Sequence, residues 1–262
     1  MVAVISAVVA LASATLSRWT QLRMTKLTAE RERQSREEQL RSAAKVALDR
    51  YRGPLLDAAW QFGDRVDDIR NGGFLRYLAE GSGREQDAKL STLFRVAYYF
   101  GWREVVRTEV QLLRFENEDD TTLVAGFLAD VARVFGVDRL DEARAMLWVD
   151  EQRGIGELMI DQRADGSSFV HGHAAFHRDY QEVFAPWMER LAGDLLSPAA
   201  PESDRLRLLQ WALFGLVRRL DEEGAYFGGW LGRTANEIRE PTLAIPVTTA
   251  EEHLVRRLAA IK

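Results

Sequence analysis

The chain is 262 residues long, 47% apolar and 10% aromatic, which excludes a disordered coil and leaves room for a domain of about 200 residues with a real core. It has no cysteine, so disulfides, thiolate catalysis and cysteine-ligated zinc are excluded, and a reducing cytoplasm suits it. The net charge of −5 divides unevenly: residues 1–52 hold ten Lys and Arg against five Asp and Glu, leaving −10 on residues 53–262, the wrong sign for a nucleic-acid partner.

The first stretch, VAVISAVVALASATL from Val2 to Leu16, carries no charge, and Arg18 is the single charge between Val2 and Thr20. At helical rise this segment is about 28 Å long, close to the roughly 30 Å hydrocarbon thickness of a bilayer. Val2, Val4, Ile5, Val8, Val9, Leu11 and Leu16 fall on all sides of a helix, which suits lipid better than one-sided packing. Trp19 stands where an interfacial aromatic belongs, and Arg18, Arg23 and Lys26 complete a membrane-interface set. Two rival readings stay open. A cleaved signal peptide has small-residue sites at Ala10-Leu11-Ala12 and Ala12-Ser13-Ala14 but no basic n-region, and a buried core helix suits any apolar run this short. The preferred reading is a transmembrane anchor over 2–20. The basic cluster on its C-terminal side then places the N-terminus outside and the body in the cytoplasm.

A charged spacer helix is expected over 21–52. Residues 26–47 contain no Gly or Pro, and opposite charges recur four apart: Glu32 with Arg36, Arg33 with Glu37, Glu37 with Arg41. Leu40, Ala44, Ala47 and Tyr51 make a short heptad-like stripe, compatible with a homo-oligomer through the spacer or with packing on the protein's own body. The basic character of this region favours anionic headgroups.

Gly53-Pro54 punctuates the chain and predicts a new helix from Pro54 to about Arg70, with Leu55, Leu56, Ala59, Phe62 and Val66 on one face and Asn71-Gly72-Gly73 as its stop. A short turn over 74–79 and a loop over 80–84 follow. The longest periodic segment, 86–115, places Leu90, Phe94, Ala97, Phe100 and Val105 at helical spacing, with Gly101 as a site of close contact or a kink. Further helices are expected over 121–135 (capped by Asp119-Asp120) and over 140–160, the latter open to a break at Gly154 and Gly156. Residues 164–170 read as a polar loop, 174–196 and 202–223 as helices, 224–232 as a Gly- and aromatic-rich segment folding back. Thr249 with Glu252 caps a last helix. With no repeat and no run of strands, the fold class is all-α: a transmembrane helix, a spacer helix, and one bundle-like domain over 53–262.

The run Tyr51-Arg52-Gly53-Pro54-Leu55-Leu56, the segment Tyr98-Tyr99-Phe100-Gly101-Trp102 with Glu104 and Gln111, and Glu151-Gln152-Arg153-Gly154-Ile155-Gly156-Glu157 together resemble a family of uncharacterised bacterial proteins frequent in actinomycetes. The resemblance covers most of the chain and implies the same layout of short span, charged helix and helical domain. It implies no activity, and that family carries Asp and Ala where Gly53 and Gly154 stand here.

Two clusters offer chemistry. His171, His173 and His177 fall within seven positions. His173 and His177 share a helix face, so zinc or another divalent metal is a candidate, with Asp179 or Glu182 needed to complete the shell. A pH-sensitive contact and a plain surface role are the alternatives. Glu151, Gln152, Arg153 and Glu157 read as an Arg153–Glu157 ion pair or a buried polar network that fixes the bundle, and less well as an acid/base pair. The acidic loop at Glu116, Glu118, Asp119 and Asp120 lacks the ligand alternation of a calcium loop, and no phosphate loop, dinucleotide fingerprint or nucleophile elbow is present. No catalytic or cofactor-binding residue is therefore assigned. The expectation is a membrane-anchored module that binds a protein partner, with a membrane-tethered metal enzyme built on the histidines as the alternative.

Overall fold

A computed structural model describes residues 2–79, 81–109, 119–138, 140, 143–221 and 224; in the first helix, side chains are described at residues 24, 26–36, 38, 39, 42 and 46 and from Arg50 onward. The described chain is mostly helical, in the order α1 (Val2–Arg70), a 3₁₀ turn (Phe74–Leu78), α2 (Glu85–Glu109), α3 (Asp119–Gly136), α4 (Val149–Leu158), β1 (Ile160–Gln162), β2 (Ser168–Val170), α5 (His173–Asp179), a π turn (Tyr180–Phe184), α6 (Ala185–Leu195), a 3₁₀ turn (Ala200–Glu202) and α7 (Asp204–Leu220). The chain divides into two compact units, Met1–Val46 and Ala47–Lys262. In the first, Met24, Leu27 and Val46 are exposed and Glu32 meets Arg36 at 3.7 Å, the spacing expected of a solvated charged helix. Among the described residues no helix is long and apolar enough to cross a membrane. The side chains of the proposed anchor, with Arg18, Trp19 and Arg23, lie outside the described residues, and Lys26 is exposed.

The second unit is built around aromatic rings. Phe62 of α1 lies 5.8 Å from Tyr99 of α2 and 6.1 Å from Phe135 of α3, and Phe100 reaches Phe135 at 5.4 Å. Around them Leu55, Leu93, Val105, Phe127, Ile155, Met188 and Leu213 are shut off from water. α3 packs along α7, and α2 along α4.

Four expectations are corrected. The helix does not stop before Pro54: α1 runs through it. An internal proline costs about 3 kcal/mol by removing one hydrogen bond. Burial of Tyr51, Leu55, Leu56, Ala58 and Ala59 on the body, with Arg52 Nε donating to Leu220 O at 2.8 Å, holds the turn in place against that cost. The expected helix over 140–160 is only α4, because Leu140 and Leu147 are buried from an irregular segment whose apolar spacing imitates a helix. Gly154 and Gly156 do not break it.

The polar loop over 164–170 is instead part of an antiparallel hairpin, Ile160 opposite Val170 and Gln162 opposite Ser168, so a two-stranded sheet exists where none was expected. Its turn is made by Asp165, whose carboxylate accepts from Ser167 N at 2.9 Å, and by Gly166 at φ +79°. The hairpin lies on α2 at Gly101, where a Cβ would stand 2.7 Å from Val170 Cγ1; the close contact predicted for this glycine is a helix–hairpin contact. Finally, the helix over 174–196 widens into a π turn before Pro186, whose ring leaves no N–H for the Glu182 carbonyl. The segment 224–232, apart from Gly224, the last helix and most of the acidic loop lie outside the described residues.

Candidate functional site

The histidines do not gather. His171 packs edge-on to Phe169 at 5.6 Å, while His173 turns to Phe94 at 5.1 Å and lies 6.1 Å from His177. His173 and His177 are exposed and His171 is half-buried. Asp179 is held by the Arg178 guanidinium at 2.7 Å, which keeps its carboxyl below the usual carboxylate range. Among the described residues no group of three or more His, Asp or Glu is placed to hold a metal ion. The physical reason is local: each ring is occupied as an aromatic neighbour, and the start of α5 after Gly172 separates His171 from the other two.

The Glu151 segment is split by the helix it lies on. Gln152 alone is buried, 1% exposed, and donates to Ala132 O at 3.1 Å and Leu147 O at 2.9 Å while accepting from Arg103 Nη1 at 2.7 Å. It ties α2, α3 and the irregular segment before α4 into one polar centre. Arg103 is the member of that centre sequence reading missed; burial lowers its pKa. Glu151 instead closes the N-terminus of α4, accepting from Trp148 N at 2.7 Å, and reaches Arg190 of α6 at 3.6 Å. The expected Arg153–Glu157 pair does not form. Arg153 lies 3.9 Å from the exposed Asp150, and Glu157 contributes a distant charge beside Arg107, which Glu104 of α2 grips with both carboxylate oxygens. A buried network exists, then, with Gln152 at its centre and the three charged neighbours outside it.

What this corner of the body does present is apolar surface. Trp148 is 65% exposed, Val149 42% and Trp187 43%, all large side chains that ordinarily seek burial. They flank one seam. Trp187 of α6 lies over Gly154 of α4, where a Cβ would meet its ring at 2.8 Å, and the Glu151–Arg190 contact crosses the same seam one turn away. Arg190 also donates to Met146 O at 2.8 Å, fixing the segment that carries Trp148. The charges beside the seam, Asp150, Arg153 and Arg190, are of both signs. Aromatics within a mixed polar rim are the composition of a protein–protein contact. The signal in the sequence is Trp148-Val149 directly before a polar helix turn, together with Trp187 on the polar, solvent-facing side of an amphipathic helix beside Glu189 and Arg190.

No protein-family model, no curated protein and no solved structure matches this chain.

Proposed function

We propose that this chain is a single-pass membrane protein whose helical body binds a protein partner at the cytoplasmic face, rather than an enzyme. The observation that carries the binding reading is the exposure of Trp148, Val149 and Trp187, indole and branched side chains left in water where α4 meets α6. A protein partner suits it better than a lipid surface. Residues 53–262 carry −10, which anionic headgroups repel, whereas indoles with charges of both signs around them suit a polypeptide. The anchoring reading rests on the uncharged run from Val2 to Leu16 with Arg18, Trp19, Arg23 and Lys26 behind it.

Two measurements test this. Full-length protein should stay in the membrane pellet through a carbonate wash, with a C-terminal tag shielded from protease in intact cells, while a form lacking residues 1–24 should be released; a soluble full-length protein removes the anchor. A photo-crosslinking residue at position 148 or 187 should yield one discrete protein adduct in cells, lost when the other tryptophan is changed to Ala, and the same probe at Arg31 should yield none. Adducts to lipid alone, or equal adducts at all three positions, defeat the partner reading.

A further inference from the structure

The arginines set into the body are satisfied in different ways, and the hydrogen bonding of Arg65 is incomplete. Arg205 is fully buried and donates to carbonyls of α3 and of the segment after it, and Arg103 has the Gln152 amide oxygen. Arg65 of α1 is 6% exposed, yet its hydrogen bonds go to neutral hydroxyls: Nη1 to Thr92 Oγ1 at 2.8 Å and Nη2 to Ser91 Oγ at 3.3 Å. Its Nε is buried and donates to nothing. The nearest carboxylate, Asp68, stands 3.9 Å away, too far to accept a hydrogen bond, and Asp64 is engaged by Arg95 at 3.2 Å. Burial and the neighbouring Arg95 push the Arg65 pKa down to about 10, so the side chain is still charged at neutral pH. Asp68 thus offers the buried cation charge but no hydrogen bond, and the Nε donor stays unused, which is costly for a buried charged group.

Arg65 lines an open cleft of about 290 Å³, together with Phe74, Tyr77, Arg84, Asp87 and Ser91. The Phe74 ring lies under its guanidinium, 3.8 Å from the ring centre, and fixes it against the wall. Arg84 is well exposed and meets Asp87 at 3.4 Å, a surface pair of small worth that a ligand can displace. The cleft thus combines a buried positive floor, a serine hydroxyl, a second guanidinium paired with the Asp87 carboxylate at the rim, and an aromatic wall formed by Phe74 and Tyr77.

We propose that this cleft binds a small molecule bearing one oxyanion group, a carboxylate or a phosphate, with Arg65 and Ser91 as donors, Arg84 as the second positive contact and the Phe74–Tyr77 wall receiving the apolar remainder. The site is independent of the partner surface on α4 and α6.

The test is isothermal titration of the purified full-length chain in detergent at constant ionic strength set with sodium chloride, using sodium phosphate and, separately, sodium benzoate. Arg65→Ala is a poor probe because it empties a packed position, so Arg65→Lys and Arg84→Ala are used, the latter at a solvent-facing side chain whose loss leaves the melting temperature unchanged. Saturable one-site binding of either anion above the chloride background, weakened about tenfold in R84A and at least as much in R65K, supports the site. Binding of phosphate alone identifies a phosphate ligand, and binding of benzoate alone a carboxylate. No saturable heat with either anion, or binding that both variants retain undiminished, overturns it.

Discussion

Arg205 is the strongest test of how this body is held together. The side chain is 0% exposed, and its guanidinium reaches five carbonyls, those of Val134, Phe135, Val137, Leu140 and Arg144, so it closes the C-terminal end of α3 and pins the irregular segment behind it to α7. Replacing it with Met keeps the volume and removes the donors. Phe135 O keeps a donor in Leu147 N at 3.1 Å and Leu140 O keeps one in Ala143 N at 2.9 Å, so the burden falls on the carbonyls of Val134, Val137 and Arg144. A buried acceptor left without its donor costs about 1–3 kcal/mol, and relief from burying a cation offsets part of the sum. The expected loss for Arg205→Met is about 3–5 kcal/mol, out of the roughly 5–15 kcal/mol that holds such a domain. In a body of this size that lowers the melting temperature by about 10 °C. Arg205→Lys keeps the charge but gathers its donors on one nitrogen, which cannot span acceptors this widely placed, and should lose about half as much. Guanidinium denaturation followed by tryptophan fluorescence, with both variants at equal protein concentration, measures it. If Arg205→Met unfolds within 1 kcal/mol of the unmodified chain, water or the backbone already satisfies those carbonyls and the clamp is not one.

Two further outcomes follow from contacts of the same body. Gly156 and Gly154 sit two residues apart on α4 yet should answer Ala in opposite ways. A Cβ at Gly156 would stand 2.7 Å from the Phe100 carbonyl oxygen, which is backbone and cannot yield, so Gly156→Ala should cost about 2–3 kcal/mol by prising α4 off α2; at Gly154 the obstacle is the Trp187 ring at 2.8 Å, which is free to swing, and helix propensity should leave Gly154→Ala neutral or up to about 1 kcal/mol more stable. Denaturation midpoints in the reverse order would refute the assignment of rigid and soft neighbours. The second concerns acid. Glu189 accepts from Lys89 at 2.5 Å and from the Tyr180 hydroxyl at 2.8 Å, which hold its pKa below the usual 4.5. A depressed carboxylate stabilises the folded state above its unfolded pKa and loses that contribution as pH falls below 4.5 through the folded value. Stability measured from about pH 5 to about pH 3 should therefore drop less steeply in Glu189→Gln than in the unmodified chain, and parallel curves would mean the pair is not formed in solution.

Much of the helical order could be read from spacing. α2, α3 and α7 were expected within a few residues of where they begin, because each shows its apolar face at about 3.6-residue intervals over four or more turns, and a capping residue or glycine marks an end. Where the reading failed, long-range contacts had replaced local propensity. Leu140 and Leu147 look helical in sequence, yet the segment that carries them has Ala143 and Ala145 at φ +64° and +51°, backbone no helix contains. It stays there because Asp194 accepts the Ala145 N–H at 2.8 Å and Arg205 takes the Arg144 carbonyl at 2.7 Å, and those partners lie 49 and 61 residues away. Three-residue strands carry too little alternation to be seen; the hairpin exists because Gly101 opens a place for Val170 on α2.

The candidate sites divide along the same line. Residue type drew attention to His171, His173 and His177 and to the charged neighbours of Gln152, since imidazoles and carboxylates are the groups that do chemistry. Burial instead singles out Gln152, Arg65 and Arg205, with the half-buried Arg103 bonded to the first of them, and in sequence these sit among ordinary helix-surface residues. An arginine on a helix looks the same on paper whether its guanidinium is in water or under a ring. Its surroundings alone decide what it does: Arg205, matched by carbonyls from several turns of chain, is part of the frame, whereas Arg65, bonded to two hydroxyls with Asp68 3.9 Å from its Nε, keeps a buried donor unused beside an open cleft. That difference in matching is what the oxyanion proposal rests on, and it points to a position on α1 that the sequence did not single out for chemistry.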